Sequence, residues 1–166
     1  QSLALARAFG MPFVHENDLT GTASHYVNLK RGKPAANPEM GGSYLGPKNT
    51  TLYTQQAIRG LRGIMAHLGM LDAPVKPPRQ LDFNQQARHE IRPRNSGYLV
   101  SNYERPEDLG KRITKGAKLG EIVDIYSYEV LEEMTAPVDG YLFFSRYSGV
   151  VGAGTQAFAL AEAGAS

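Results

Sequence analysis

The sequence predicts an α/β part followed by a small all-β domain. Helical patterns near residues 2–9 and 50–68 lie in the first half, whereas short apolar runs separated by Gly, Pro and Asp turns dominate residues 86–162. A stiff, proline-rich run at 73–79, APVKPPR, stands between them. We therefore predict an α/β part at 1–73, a linker at 74–85 and an all-β domain at 86–166.

Composition and charge narrow the classes of function. The 166 residues include 18 Lys and Arg against 16 Asp and Glu. The resulting net charge of +2 is too small an excess of positive charge to indicate nucleic-acid binding. The absence of cysteine excludes disulfides, thiolate zinc sites and cysteine nucleophiles. No apolar run approaches the roughly 20 residues of a membrane span, and the start of the chain does not resemble a signal peptide. We expect a cytoplasmic protein with no nucleic-acid or membrane partner.

The first elements are predicted from helix signals and prolines. Residues 2–9 suit a short helix with Ser2 as N-cap and Gly10 just beyond its end. Residues 11–14 indicate the start of a strand, and a polar loop follows. The segment 33–40 is predicted to be extended because each proline biases its predecessor away from the helical region, and it ends at Gly41 and Gly42.

The clearest helix is predicted over 50–68. Its apolar residues recur at steps of three and four, and Gly69 marks its end. Gly60 and Gly63 inside the helix cost about 1 kcal/mol each relative to Ala, which favours close packing of the face that carries them. We expect the apolar stripe to be buried on one side of the helix; its members are Ala57, Ile58, Leu61, Ile64, Met65 and Leu68.

The second half repeats itself. The sequence SGYL at 96–99 matches DGYL at 139–142, and Ile113, Gly116 and Ile122 recur at a constant offset as Val151, Gly154 and Leu160. The first copy carries an insertion near 105–108. We predict two similar half-sheets that clasp each other and bury both apolar faces.

This duplicated order of strands and turns resembles the barrel-sandwich hybrid of biotinyl and lipoyl carrier domains. Such carriers present the modified lysine at a hairpin tip. The matching hairpin at 124–130 contains no lysine, and Thr135 follows Glu132, Glu133 and Met134 where the carrier motif has lysine. Covalent carriage is therefore not expected, and Met134 is predicted to pack inward.

The first half carries a second resemblance. GKP at 32–34, PEMGG at 38–42 and a long helix ending in HLGML at 67–71, followed by the hybrid domain, resemble the C-terminal half of the succinylglutamate desuccinylase/aspartoacylase family. That family belongs to the zinc carboxypeptidase clan. The resemblance implies that residues 1–73 are the C-terminal part of a zinc-hydrolase-like α/β domain. It also implies a zinc-dependent deacylase that cleaves the amide bond of N-acyl amino acids or related small amides.

By the same resemblance, Glu39 takes the role of general base at the end of a central strand. A carboxylate beside a zinc-bound water can accept its proton and pass it to the leaving amine. The alternative is that Glu39 caps a turn or pairs with Lys33 or Arg31. Arg31 and Tyr44 are weaker candidates for binding the substrate's carboxylate or polar end.

The zinc ligands of the family, a His-x-x-Glu pair and a second His, have no counterpart in this sequence. By family order they are expected before Gln1, so the complete protein would bind Zn²⁺ whereas this chain alone would be inactive. We expect this chain to associate with the missing half or with itself. The alternative function is a carrier-like or adaptor module built on the hybrid domain.

The four histidines are not predicted to be zinc ligands. His15 and His25 are placed in loops, His67 in the last turn of the long helix, and His89 on an exposed early strand of the second domain. Some family members contribute a tyrosine of the second domain to the pocket. The sequence does not choose among the available residues, Tyr98, Tyr103, Tyr126 and Tyr128.

Overall fold

The computed structural model describes residues 1–16, 20–41, 46–72 and 78–163. The chain divides into two compact units, residues 1–82 and residues 83–166. Their boundary lies within the strand Leu81–Asn84, inside the stretch predicted as a linker, of which 73–77 lie outside the described residues. None of the helices in the described ranges is long and apolar enough to cross a membrane.

Unit 1 is built from three helices and a two-stranded sheet, so the coarse prediction of a mixed α/β chain is confirmed. Strand β1 pairs with strand β2, and the backbone N–H of Leu81 donates to the carbonyl of Pro12 at 2.9 Å. The elements in chain order are α1 (Ser2–Phe9), β1 (Phe13–Glu16), α2 (Ala23–Arg31), α3 (Gly46–His67) and β2 (Leu81–Asn84).

Helix α1 has the predicted bounds but a different N-cap. The cap is Gln1, and Ser2 is the first helical residue. Gly10 ends the helix in the left-handed conformation at φ 80°, as the sequence predicted. Helix α2 replaces the predicted loop. The Thr22 hydroxyl accepts the N–H of His25 at 3.2 Å and caps its start, while Gly32 at φ 60° ends it.

Helix α3 begins four residues earlier than predicted, and the face that carries Gly60 and Gly63 packs closely, as these glycines predicted. Gly60 and Gly63 are buried, and the Phe9 ring of α1 lies so close to Gly60 that a Cβ there would approach it to 2.6 Å. The predicted apolar stripe is buried only in part: Ala57, Ile64 and Met65 are partly buried, whereas Ile58, Leu61 and Leu68 are 55%, 57% and 56% exposed.

Unit 2 consists of two four-stranded antiparallel sheets, and its described strands do not close into one barrel. One sheet has the order β3-β10-β8-β5 and the other β7-β6-β4-β9. The strands are β3 (Arg88–Ile91), β4 (Gly97–Ser101), β5 (Arg112–Ile113), β6 (Lys118–Val123), β7 (Val130–Thr135), β8 (Gly140–Ser145), β9 (Gly149–Val151) and β10 (Phe158–Glu162).

The strand orders confirm the internal repeat. Exchanging β3 with β7, β4 with β8, β5 with β9 and β6 with β10 converts one order into the other. Each sheet therefore takes two strands from each copy, and neither copy completes a sheet alone. The matched glycines have matched roles. A Cβ on Gly97 would lie 2.5 Å from the carbonyl oxygen of Val123, and one on Gly140 would lie 2.6 Å from that of Ala161.

The core of unit 2 lies between the two sheets. Met134 is 2% exposed, which confirms that it packs inward. The insertion near 105–108 forms a short 3-10 turn, in which the buried Asp108 carboxylate accepts the N–H of Arg105 and the ammonium of Lys111. The residues that fill the core most completely are Phe158, Leu99, Leu119, Ile122, Leu142 and Leu160.

Glu132 on β7 holds the turn at residues 94–95. Its Oε2 accepts the backbone N–H of Arg94 at 2.8 Å and that of Asn95 at 3.2 Å, and it also accepts the Asn95 side-chain amide at 3.2 Å. Burial by itself would raise the pKa of Glu132. The hydrogen bonds from Arg94 and Asn95 outweigh burial and hold the pKa below its ordinary value of 4.5.

The contact between Phe9 and Gly60 is open to a test by Gly60→Ala. The new methyl gains about 1 kcal/mol of helix propensity, but overpacking against a buried ring costs about 1 to 3 kcal/mol. We expect a lower free energy of unfolding for unit 1, measured by urea denaturation and circular dichroism. Phe9→Leu in the same chain should recover part of the loss, and the exposed-site control Gln55→Ala should be near neutral. A gain in stability from Gly60→Ala would contradict the packing.

Glu132→Gln should lower the free energy of unfolding of unit 2 by about 1 to 2 kcal/mol at pH 7, because the neutral amide oxygen accepts the three N–H groups more weakly than a carboxylate oxygen does, and the amide nitrogen would face the Arg94 guanidinium. Since the folded-state pKa of Glu132 is depressed, its stabilisation is present above pH 4.5 and is lost as the pH falls through the lower folded value. The free energies of unfolding of the parent and of Glu132→Gln, measured by urea titration, should therefore become equal at low pH. The control is Glu133→Gln, at the exposed neighbouring position. Equal stabilities of Glu132→Gln and the parent at pH 7 would show that Glu132 does not stabilise the turn at residues 94–95.

Candidate functional site

Glu39 lies in the segment 32–41, which contains no helix or strand. Within this chain no strand carries Glu39, so its expected position at the end of a central strand and the extended conformation of the segment stay predictions. The Glu39 side chain is exposed, and among the described residues it makes no hydrogen bond or ion pair, so the pairing with Lys33 or Arg31 is not observed. Gly41 follows at φ 75°, a conformation that favours glycine. The carboxylate is thus open to solvent and to a substrate.

Two polar side chains fix the start of this segment. The Ser2 hydroxyl accepts the backbone N–H of Ala35 at 3.1 Å and the side-chain amide of Asn28 at 2.9 Å. The same Asn28 amide donates to the carbonyl of Lys33 at 3.2 Å. The first turn of α1 and the last part of α2 are therefore tied to the segment that leads to Glu39. Sequence reasoning missed this network, because it joins residues 33 positions apart and Ser2 was assigned as a helix cap.

The two substrate-binding candidates have different outcomes. Arg31 is the last residue of α2 and its side chain is exposed, and the structure gives it no contact with Glu39. Tyr44 and Gly42 lie outside the described residues. Arg31 therefore lies just before the segment 32–41 and Glu39 near its end, and the described residues show no contact between them.

The four histidines lie on four different elements of the structure. His15 lies on β1 and His25 in the first turn of α2, so their placement in loops is wrong, whereas His67 is in the last turn of α3 as predicted. His89 lies on β3 but is only partly exposed, and its Nε2 is 2.8 Å from the carboxylate of Glu162. Within the described ranges, no three His, Asp or Glu side chains lie close enough to hold a metal ion.

The turn between β6 and β7 presents two tyrosines. Tyr126 is 86% exposed and Tyr128 is 79% exposed, the latter at φ 62°. Oδ1 of Asp124 accepts the N–H groups of Ser127 and Tyr126, both at 2.8 Å, and these bonds lower the pKa of Asp124. Tyr103, by contrast, packs against the core. The hairpin tip is therefore a pre-formed turn, and its exposed side chains are aromatic instead of the lysine of a carrier.

Ser2→Ala tests the anchoring of the segment before Glu39. Without the hydroxyl, the N–H of Ala35 loses its acceptor, worth about 0.5 to 1.5 kcal/mol. We expect the Ala35 amide to exchange with deuterium about two to ten times faster in NMR-detected exchange. Asn37→Ala, in the same segment, should leave that amide unchanged. Equal exchange in the parent and Ser2→Ala would show that the hydroxyl does not hold the segment.

Comparisons with known proteins bear on the fold. No protein-family model matches the sequence, and no curated protein matches it. Solved structures do match. The apo ectoine utilization protein EutE (DoeB) from Ruegeria pomeroyi is 20% identical with a TM-score of 0.73, over 97% of this chain and 50% of that one. A succinylglutamate desuccinylase/aspartoacylase from Rhodobacter sphaeroides is 20% identical with a TM-score of 0.74, over 97% and 48%.

A third match is a succinylglutamate desuccinylase from a Silicibacter species, 18% identical with a TM-score of 0.74, over 97% of this chain and 49% of that one. This chain therefore spans about half the length of the solved proteins that it resembles. At these identities the likeness establishes the fold. The family resemblance inferred from the sequence is confirmed at that level: residues 1–166 fold as about one half of a succinylglutamate desuccinylase/aspartoacylase family protein.

Proposed function

We propose that the complete protein is a zinc-dependent deacylase that hydrolyses the amide bond of an N-acyl amino acid or related small amide in the cytoplasm. The observation that carries the proposal is the match of nearly the whole chain, 97%, to half of a desuccinylase/aspartoacylase fold at a TM-score of 0.74. The solved neighbours include proteins named as desuccinylases and aspartoacylases, which supports a deacylase-type hydrolase at the level of reaction class.

In this proposal Glu39 is the catalytic base. Its exposed carboxylate has no competing partner among the described residues, so both oxygens are available to a water molecule. It accepts one proton as that water attacks the amide carbonyl, and it returns the proton to the nitrogen as the carbon–nitrogen bond breaks. The products are a carboxylic acid and an amine, which at neutral pH become a carboxylate and an ammonium, and the carboxylate of Glu39 is regenerated.

The described residues do not fit a complete zinc site, because no three potential ligands lie together. We therefore assign the metal ligands to polypeptide outside residues 1–166 and derive no reaction step through the metal from this chain. Unit 1 would associate with that polypeptide, and the substrate would bind where the two meet near Glu39. Arg31 and Tyr44 stay candidates for contacts to the substrate's carboxylate.

Positioning of the base follows from the segment that carries it. The hydrogen bonds of Ser2 and Asn28 hold residues 33 and 35, a few positions before Glu39, and the proline at 38 restricts the backbone immediately ahead of it. A displacement of about 1 Å in a catalytic group can cost about a hundredfold in rate. The network thus supplies a physical reason for placing a base on a segment without regular structure.

The decisive experiment is Glu39→Gln in the complete protein. The amide keeps the shape of the side chain but cannot accept the proton, so we expect kcat on a panel of N-acyl amino acids to fall by about two to four orders of magnitude. Zinc content, measured by mass spectrometry of the purified protein, should be unchanged. Glu107→Gln removes another exposed carboxylate and should keep parental activity.

Full activity in Glu39→Gln would remove Glu39 from the mechanism, and loss of zinc would make it a ligand instead of a base. The complete protein must also hydrolyse at least one amide of the panel, since inactivity of the parent would contradict the deacylase. The 166-residue chain alone should show no zinc-dependent turnover. Turnover by this chain would contradict the placement of the metal ligands outside it.

A further inference from the structure

The buried apolar side chains are distributed unevenly between the two units. Of the seventeen that the described residues bury almost fully, two lie in unit 1, Phe9 and Val14, and fifteen lie in unit 2. Eleven of those fifteen form one continuous cluster. Because the two units are of similar length, residues 1–82 and 83–166, unit 2 has far more apolar burial for each residue that it must order.

The helices of unit 1 contribute little to a core within this chain. Helix α2, which is described in full, has no buried residue. Helix α3, also described in full, buries only Gly60 and Gly63, which have no side chain to transfer from water. Most helical stability in proteins comes from tertiary packing of an apolar face, and helices as short as α1 and α2 are marginal in water by themselves. The helices of unit 1 are therefore held weakly in this chain.

Polar contacts do not replace the missing burial in unit 1. Arg7 and Asp82 form an ion pair, but their side chains are 52% and 42% exposed, and water screens such pairs strongly. The hydrogen bonds of Ser2 with Ala35 and Asn28 replace bonds that the same groups make with water in the open chain, so their net contribution is small. The free energy that opposes opening of unit 1 is therefore small.

Unit 2 is held by its topology as well as by its core. Each sheet takes strands from both copies of the repeat, so opening either copy disrupts both sheets and exposes the core that they share. Such a unit opens as one cooperative body, and the free energy of that opening approaches the free energy of its global unfolding.

We infer that the chain contains two units of unequal stability, in which residues 83–166 stay folded while residues 1–82 open and close independently. The segment that carries Glu39 lies in the unit that opens. The solved structures that match this chain are about twice its length, and the other half of that fold supplies the burial that unit 1 lacks. This difference in stability does not depend on the hydrolase reaction. On the proposed function, it makes the ordering of the base conditional on the half that supplies the metal ligands.

Urea unfolding of the 166-residue chain can follow each unit by a separate signal. The α-helices of the described residues all belong to unit 1, so the helix signal in far-ultraviolet circular dichroism reports on that unit. Native-state hydrogen exchange, measured by NMR in the same urea series, reports on unit 2 through the amides of the buried residues Leu142 and Leu160. We expect the helix signal to be lost at a urea concentration at least about 1 M below that at which these amides lose protection.

Two conservative variants assign the transitions to the units. Ile122→Val removes one methylene from the core of unit 2 and should lower the urea midpoint of the second transition by about 0.5 to 1 M, with the first unchanged. Gly60→Ala overpacks the contact with Phe9 and should lower only the first midpoint. Gln55→Ala, at an exposed position of α3, should leave both midpoints unchanged.

The complete protein supplies a second comparison. The amide of Ala35, which donates to Ser2, should exchange with deuterium at least about a hundredfold more slowly in the complete protein than in this chain, whereas the Leu160 amide should differ by less than about threefold. This measurement is independent of turnover. Slow exchange at Ala35 in a complete protein that hydrolyses no amide would uphold the inference and contradict the deacylase.

Three results would overturn the inference. They are one shared transition for the helix signal and the unit 2 amides, a shift of both midpoints by Ile122→Val, and equal exchange of the Ala35 amide in this chain and in the complete protein. The first two would show that the chain unfolds as one body, and the third that the other half of the fold does not stabilise unit 1.

Discussion

The close approach of the Phe9 ring to Gly60 determines how unit 1 is arranged. A ring can lie this near a helix axis only where the helix lacks a Cβ, so the glycine selects which face of α3 is buried against α1. Ile58 and Leu61 are left on another face, where their apolar surface stays in water at a cost of about 25 cal/mol per Å² relative to burial.

Unit 2 also depends on glycines that allow a close backbone approach, and there both partners of each approach lie within the unit. Gly97 and Gly140 each bring a strand against the backbone of its neighbour, and the two glycines occupy matched positions of the repeat. The two sheets share strands from both copies, so each apolar face is covered by the other. The core is therefore complete within residues 83–166, in contrast to the open face of α3.

Most features that are encoded locally in the sequence were predicted, whereas features that depend on contacts between distant residues were not. Helix α1 and the end of α3 are encoded by neighbouring residues and were predicted, and the repeat was predicted because two stretches of the sequence match each other directly. Helix α2 was missed because ASHYVNLKR has no apolar stripe, although Thr22 and Gly32 are a helix cap and a helix stop. The two glycines of α3 predicted which face packs closely, but not its neighbour, because the Phe9 ring that meets Gly60 comes from a distant part of the sequence.

The same distinction applies to Glu39. The motif around Glu39 suggested a role for it. The contacts that position its segment join Ser2 to Ala35 and Asn28 to Lys33, and no pattern in the sequence predicted them. A carboxylate in open water interacts weakly with its surroundings, whereas exclusion of water strengthens each electrostatic contact in a site. On the proposed function, polypeptide that brings the metal ligands to Glu39 would also remove water from this carboxylate. If Glu39 is the base, this chain supplies the hydrogen bonds that hold its segment, and the other half of the fold would supply the low-dielectric environment that the chemistry needs.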